Sequence, residues 1–144
     1  MLKGIHPLLD PNLLHVLASM GHGDSIAIVD SNFPAASIAN ELVVKTPLIM
    51  SVSATDALEA ILSVLPIDQF NPENAPVLGM QVVGEPSSIP EVVQAATPLF
   101  EKEGATVTLI ERFAFYEAAK KAFAVVHSAE TRFYGNFIIR KGVV

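Results

Sequence analysis

His22 stands between Gly21 and Gly23, and eight residues later, beyond the apolar run Ser25 to Val29, comes Asp30. An unperturbed imidazole titrates closer to neutral pH than any other ordinary side chain, which makes His22 the candidate for proton transfer. Asp30 arrives at the carboxyl end of an expected strand, where open α/β sheets bind their ligands, and leads into the turn formers Ser31-Asn32-Phe33-Pro34. Further along, Arg112 opens the run Arg112-Phe113-Ala114-Phe115-Tyr116 with a rigid five-donor fork suited to hydroxyl groups. Tyr134-Gly135-Asn136 adds a phenol and an amide, each able to donate and to accept. Together these are tools for moving a proton on a hydroxyl-rich ligand.

Each of them also has a plainer role open to it. A histidine just after a helix often serves only the last carbonyls and the helix dipole. Asp30 can cap the next helix or hold the Ser31-Asn32 turn, and Asp24 reads as a turn residue rather than a second acid. Arg112 can pair with Glu111 while its neighbouring aromatics pack a helix onto the sheet. Tyr134-Gly135-Asn136 can be a turn and nothing more.

The elements that must position these residues follow from periodicity. Asp10 can cap a helix with Pro11 at its first position, and Leu13, Leu14, Val16, Leu17 and Met20 mark one apolar face. Gly21 is placed to end that helix in a left-handed conformation. Ser25 to Val29, β-branched and without polar alternation, predicts a strand buried on both faces. A short helix from Pro34 to about Glu41, a strand over Leu48 to Val52 and a helix over Thr55 to Leu65 come next. Ile67 to Pro76 reads as the longest loop. Beyond it lie a strand over Val77 to Val83, a helix from about Pro90 to Glu103, and a strand over Ala105 to Ile110. Arg112 to Lys121 is expected to be helical, with strands over Phe123 to His127 and Phe137 to Arg140. The alternation predicts an α/β single-domain layered sheet, mostly parallel, with flanking helices, spanning residues 1–144; the last two strands are expected at an edge or as a hairpin.

Composition narrows the function. A formal net charge of −6 and a pI near 5.1 give no basic face for nucleic acid or an anionic membrane. There are no cysteines, hence no disulfide framework and no thiol chemistry. A mean hydropathy of +0.45 with 17% charged residues is apolar for a small protein, yet no run approaches the roughly 18 residues of a membrane span. The excess apolar surface is expected in subunit interfaces. The first residues lack a signal-peptide core, so a cytoplasmic location is the expectation.

Several chemistries fail on spacing. Gly21-His22-Gly23 has no third glycine where a dinucleotide fingerprint requires one, and it precedes a strand rather than a helix. No Walker loop or Gly-x-Ser-x-Gly elbow is present. His6, His15, His22 and His127 fall at no zinc-like spacing, so neither a metal nor a cofactor is expected.

The Gly21-His22-Gly23 to Pro34 stretch, the Arg112 to Tyr116 run and Tyr134-Gly135-Asn136, in this order across nearly the whole chain, resemble the sugar mutarotase family that contains L-fucose mutarotase and D-ribose pyranase. The resemblance implies exchange of the ring forms of a free reducing monosaccharide, with His22 as proton donor and Asp30, Arg112, Tyr134, Gly135 and Asn136 as sugar-binding positions. The Arg-Phe-Ala-Phe-Tyr run tilts it toward the fucose branch; ribose pyranase-type activity, or a sugar-binding module without turnover, are the alternatives. No cofactor is implied. Eight extended residues separate His22 from Asp30 by roughly 26 Å, too far for one monosaccharide. Either the glycine-flanked segment folds back or two subunits share a site, and the resemblance implies ring-shaped homo-oligomers with sites between subunits.

Overall fold

Ser25–Val29 forms the strand that the sheet is built on, β1, with every residue after Ser25 buried. The computed structural model describes residues 1–144. Before β1 lies helix α1 (Pro11–Ser19), where Asp10 Oδ1 accepts the Leu13 N–H at 2.8 Å and Pro11 occupies the first turn. After it come α2 (Ala35–Ala39), β2 (Leu48–Met50), α3 (Ala54–Leu62), β3 (Val77–Met80) and α4 (Glu91–Lys102). The chain ends with β4 (Val107–Ile110), α5 (Arg112–Ala119), β5 (Ala124–Ser128) and β6 (Phe137–Arg140). No helix is long and apolar enough to cross a membrane.

The six strands make one sheet in the order β2-β5-β1-β6-β3-β4. All pairings are parallel except those of β6, which runs antiparallel to both β1 and β3. The mostly parallel α/β layering read from the sequence is therefore present. The expected edge or hairpin is not, because β6 lies in the middle of the sheet and β1 separates it from β5. The reason is legible in burial: Phe137, Ile138 and Ile139 are all buried, so β6 is apolar on both faces and unsuited to an edge.

Helices cover both faces. The larger core holds α1, α3 and α4 against one side through residues such as Leu13, Leu58, Ile61, Val92 and Phe100. A smaller one holds α2 and α5 against the other through Phe33, Ile38, Phe115 and Ala119. Several boundaries depart from the sequence reading. Strands β2 and β3 stop at Met50 and Met80, short of Val52 and Val83, and α3 begins one residue early on the Ser53 cap and ends at Leu62. The end of α1 also differs, since Met20 there is extended and it is Gly23, not Gly21, that takes a positive φ of 86°. Lys141 explains the difference: its Nζ donates to the Leu17 and Met20 carbonyls at 2.9 and 2.5 Å, doing the capping that a left-handed glycine would otherwise do.

Candidate active site

Because β6 runs against its neighbours, its first residues lie at the same end of the sheet as the carboxyl ends of β1, β3 and β4. Four segments converge there: Asp30 after β1, Met80 ending β3, Arg112 after β4 and Asn136 before β6. They line a cavity of about 380 Å³ together with Asn32, Phe33, Tyr116, Phe133 and Tyr134. The lining combines carboxylate, amide and guanidinium groups with aromatic and thioether ones, as small-ligand sites commonly do.

Asp30 is held from several directions. Asn136 Oδ1 accepts its backbone N–H at 2.9 Å, Asn136 Nδ2 donates to its Oδ2 at 3.1 Å, and the Asn32 N–H donates to its Oδ1 at 3.0 Å. Burial raises its pKa above the usual carboxylate value, against the lowering effect of those donors, which makes it a stronger proton acceptor than a surface aspartate. Asn136 is thus committed to Asp30 and orients it. Gly135 is buried behind the cavity rather than on its wall. A Cβ there would sit 2.7 Å from Glu130 Cγ and 3.4 Å from Asp30 Cβ, so the glycine permits close packing of this loop on both carboxylates.

Tyr134 is the only non-glycine residue with positive φ, at 65°, and its phenol oxygen accepts the Val83 N–H at 3.2 Å. That bond leaves the phenol hydrogen available to a ligand. A non-glycine residue held in this region costs of order 1–3 kcal/mol, and here the conformation carries the phenol to the cavity wall. Arg112 sits at the start of α5 with its guanidinium carbon 4.7 Å from the Phe113 ring centroid. It makes no ion pair, and its buried Nε has no hydrogen-bond partner. The pairing with Glu111 weighed from the sequence is absent because Glu111 Oε2 caps α5, accepting the Phe113 and Ala114 N–H groups at 2.9 and 3.2 Å. Arg112 is an uncommitted fork at the cavity.

His22 is elsewhere. Strand β1 is extended throughout, about 16 Å over its five residues, and His22 lies before its amino end while Asp30 follows its carboxyl end. The segment does not fold back, so one chain brings together Asp30, Arg112, Tyr134 and Asn136 but not His22. The His22 side chain is 51% exposed, its Nε2 lies 3.3 Å from Oδ1 of the buried Asp68, and its ring meets Phe70 edge-on at 6.4 Å. Asp24 is a turn residue, as expected, accepting the Gly21 N–H through Oδ2 at 2.7 Å. No cluster of three or more histidine, cysteine or acidic side chains is arranged to hold a metal.

Sequence reasoning missed the support behind the site. Glu130, buried under Gly135, accepts from Arg132 Nε and Nη2 at 3.0 Å each, from the Arg132 backbone N–H at 3.0 Å and from the Ala54 N–H at 3.1 Å, while its carbonyl accepts the Ser31 N–H at 2.9 Å. It ties the Asp30 loop, the Tyr134 loop and the start of α3 together. The sequence signal, a Glu-x-Arg spacing in a loop, is too common to single out. The Arg132 hydrogen bonds are the chief reason its pKa falls from 4.5 to about 2. The unfolded chain binds this proton more readily, so the stabilisation is complete above about pH 4.5 and is lost as pH falls toward 2. Glu130→Gln is expected to be less stable at pH 7 and to lose less between pH 5 and 2 than the parent. Denaturant titrations at several pH values check this, and equal acid sensitivity in both chains refutes it.

Residues 3–144 match the RbsD / FucU transport protein family. The chain is 42% identical to an L-fucose mutarotase of Actinobacillus pleuropneumoniae over 99% of this chain and 97% of that one. It is 41% identical to the fucose mutarotase of Homo sapiens, covering 99% and 94%. The crystal structure of the fucose mutarotase from Streptococcus pneumoniae in complex with L-fucose superposes with a TM-score of 0.85 at 35% identity, covering 99% of each chain.

Proposed function

The chain belongs to the RbsD / FucU transport protein family, and from that premise we propose that it is an isomerase interconverting the ring anomers of a free monosaccharide, L-fucose first among them. The observation that carries this reading is the similarity, over 99% of both chains, to a fucose mutarotase solved with L-fucose. The cavity chemistry supports it independently. Asp30, Arg112 and Tyr134 offer acceptor, fork and hydroxyl donor to a ring of hydroxyls, while Phe33, Met80 and Tyr116 offer an apolar surface.

Ring opening needs two proton transfers. A base takes the anomeric hydroxyl proton, the O–H electrons become the C1=O π bond, and the C1–O5 pair passes to the ring oxygen, which takes a proton from an acid. Asp30, with its raised basicity, is assigned the first task and His22 the second. Rotation about C1–C2 and reversal of both transfers closes the other anomer. The reaction also runs in water, so one positioned base and one acid suffice, and no step needs a metal or cofactor.

Since one chain separates the two groups, His22 is proposed to enter the cavity of a neighbouring subunit in a ring-shaped homo-oligomer. Exposed apolar side chains occur at both ends this requires: Phe70 beside His22, and Phe113, Phe133 and Val83 near the cavity mouth, all more than half exposed. Such surface is what a subunit contact would cover.

The test is saturation transfer between the α and β anomer signals of L-fucose. Faster exchange with protein, unaffected by EDTA, is expected. Unchanged exchange for fucose, ribose, galactose and rhamnose would leave a sugar-binding module, and loss in EDTA would remove the metal-free mechanism.

A further inference from the structure

A second cavity, of about 290 Å³, lies at the opposite end of the sheet from Asp30, where β1 and β3 begin and β6 and α5 end. Its polar side chains come from Ser25, Lys121 and Arg140, and none of its lining residues is acidic. In a chain of net charge −6, two cations around one cavity run against the overall balance. Both are also unpartnered. The Arg140 side chain makes no hydrogen bond or ion pair and its Nε is buried without an acceptor, while Lys121, unlike Lys120 beside it, meets no carboxylate. We propose that this cavity binds a small phosphomonoester by its phosphate group, with Arg140 as a bidentate fork, Lys121 as a second charge and the Ser25 hydroxyl as a further donor. The site is independent of the sugar exchange assigned to the Asp30 cavity.

The register of the sheet assembles these groups. Arg140 on β6 stands directly opposite Ser25 on β1, so the two side chains leave the sheet on the same face as neighbours. A guanidinium presents donors in a plane that matches two phosphate oxygens at once, and a buried donor left without an acceptor is costly until a ligand supplies one. The carboxyl end of a helix is ordinarily a poor place for an anion. Here the turn after α5 meets those carbonyls itself: the N–H groups of Lys120, Lys121 and Ala122 donate to the Tyr116, Ala118 and Ala119 oxygens at 3.0, 3.1 and 3.1 Å. Asp68 and Arg140 act on each other through charge alone, since the Asp68 carboxylate is taken by the Phe70 N–H and His22. The volume is at the lower end of the roughly 300–1,000 Å³ of ligand sites, and the lining has no aromatic ring on which a base could stack. That favours a small ester over a nucleotide. Leu78 and Ile138 supply an aliphatic wall for its carbon chain.

The plainer role for Arg140 is to balance the charge of Asp68, in which case the cavity holds only water. Titration calorimetry on the full chain separates the two, with inorganic phosphate and glycerol 3-phosphate as probes, glycerol as the uncharged control, and ionic strength held constant so that screening is the same throughout. Glycerol 3-phosphate is expected to bind more tightly than phosphate, and glycerol not at all. Arg140→Met, which keeps the length of the stem, should weaken binding by about 10- to 100-fold, as the loss of charged hydrogen bonds does. Lys121→Met, on an exposed side chain, should weaken it by about two- to fivefold and leave the fold intact. Arg112→Met removes the other unpaired fork, at the Asp30 cavity, and should leave the affinity unchanged. No binding of either anion at millimolar concentration overturns the proposal, as does an affinity lost in Arg112→Met or unaltered in Lys121→Met. Phosphate binding as tightly as its ester overturns the choice of ligand. If Arg140→Met does not fold, the Lys121 and Arg112 variants decide between the two cavities without it.

Discussion

His22→Ala is expected to lose most anomer exchange, by the 10²- to 10⁴-fold typical of a missing general acid or base, while remaining folded. The fold should survive because the side chain is half exposed and joins neither apolar core; its one polar partner is Asp68. Removing it opens no cavity, and Asp68 keeps the Phe70 N–H as a donor. His15→Ala is the control. His15 belongs to α1 and has no side-chain hydrogen bond, so little change is expected. Exchange rates extrapolated to saturating L-fucose, measured beside thermal melts, decide the matter. If the two variants behave alike, the proton donor is some other group.

What the sequence revealed depends on how local the cause was. Buried strands such as β1 and capped helices such as α1 are written in adjacent residues, and Asp10, Pro11 and the Ser25 to Val29 run stated them directly. The place of β6 depended on pairings distant in sequence, such as Ser25 with Arg140 and Val77 with Ile139, and only its doubly buried Phe137-Ile138-Ile139 core hinted at the centre. Within the site, residue types were legible and their division of labour was not. Asn136 looks like a ligand group in sequence but spends both ends of its amide on Asp30, a contact across 106 positions. Asp68 and Glu130 lie 46 and 76 positions from His22 and Ala54, the groups they engage, and no spacing rule connects such pairs. The separation of His22 from Asp30 was readable from strand geometry alone, because five extended residues have a fixed reach.

That separation leads to the most demanding expectation. If each site takes His22 from one subunit and the Tyr134 face from another, two inactive variants should repair each other. His22→Ala lacks the acid. Tyr134→Ala lacks the phenol that meets the Val83 N–H and lines the cavity, and because position 134 is left-handed it also tests whether that loop stays in place. Equal amounts of the two, dissociated and reassembled, draw each half of a site independently from the pool, so a fraction ½ × ½ of sites receives both intact parts. Exchange should therefore rise from near zero to about a quarter of the parent rate. Mixing without dissociation should recover nothing, which separates shared sites from chance additivity. A monomer by light scattering, or a mixed oligomer verified by mass with no recovered exchange, would show that each chain works alone, and the acid would then have to be sought among the groups already at the Asp30 cavity.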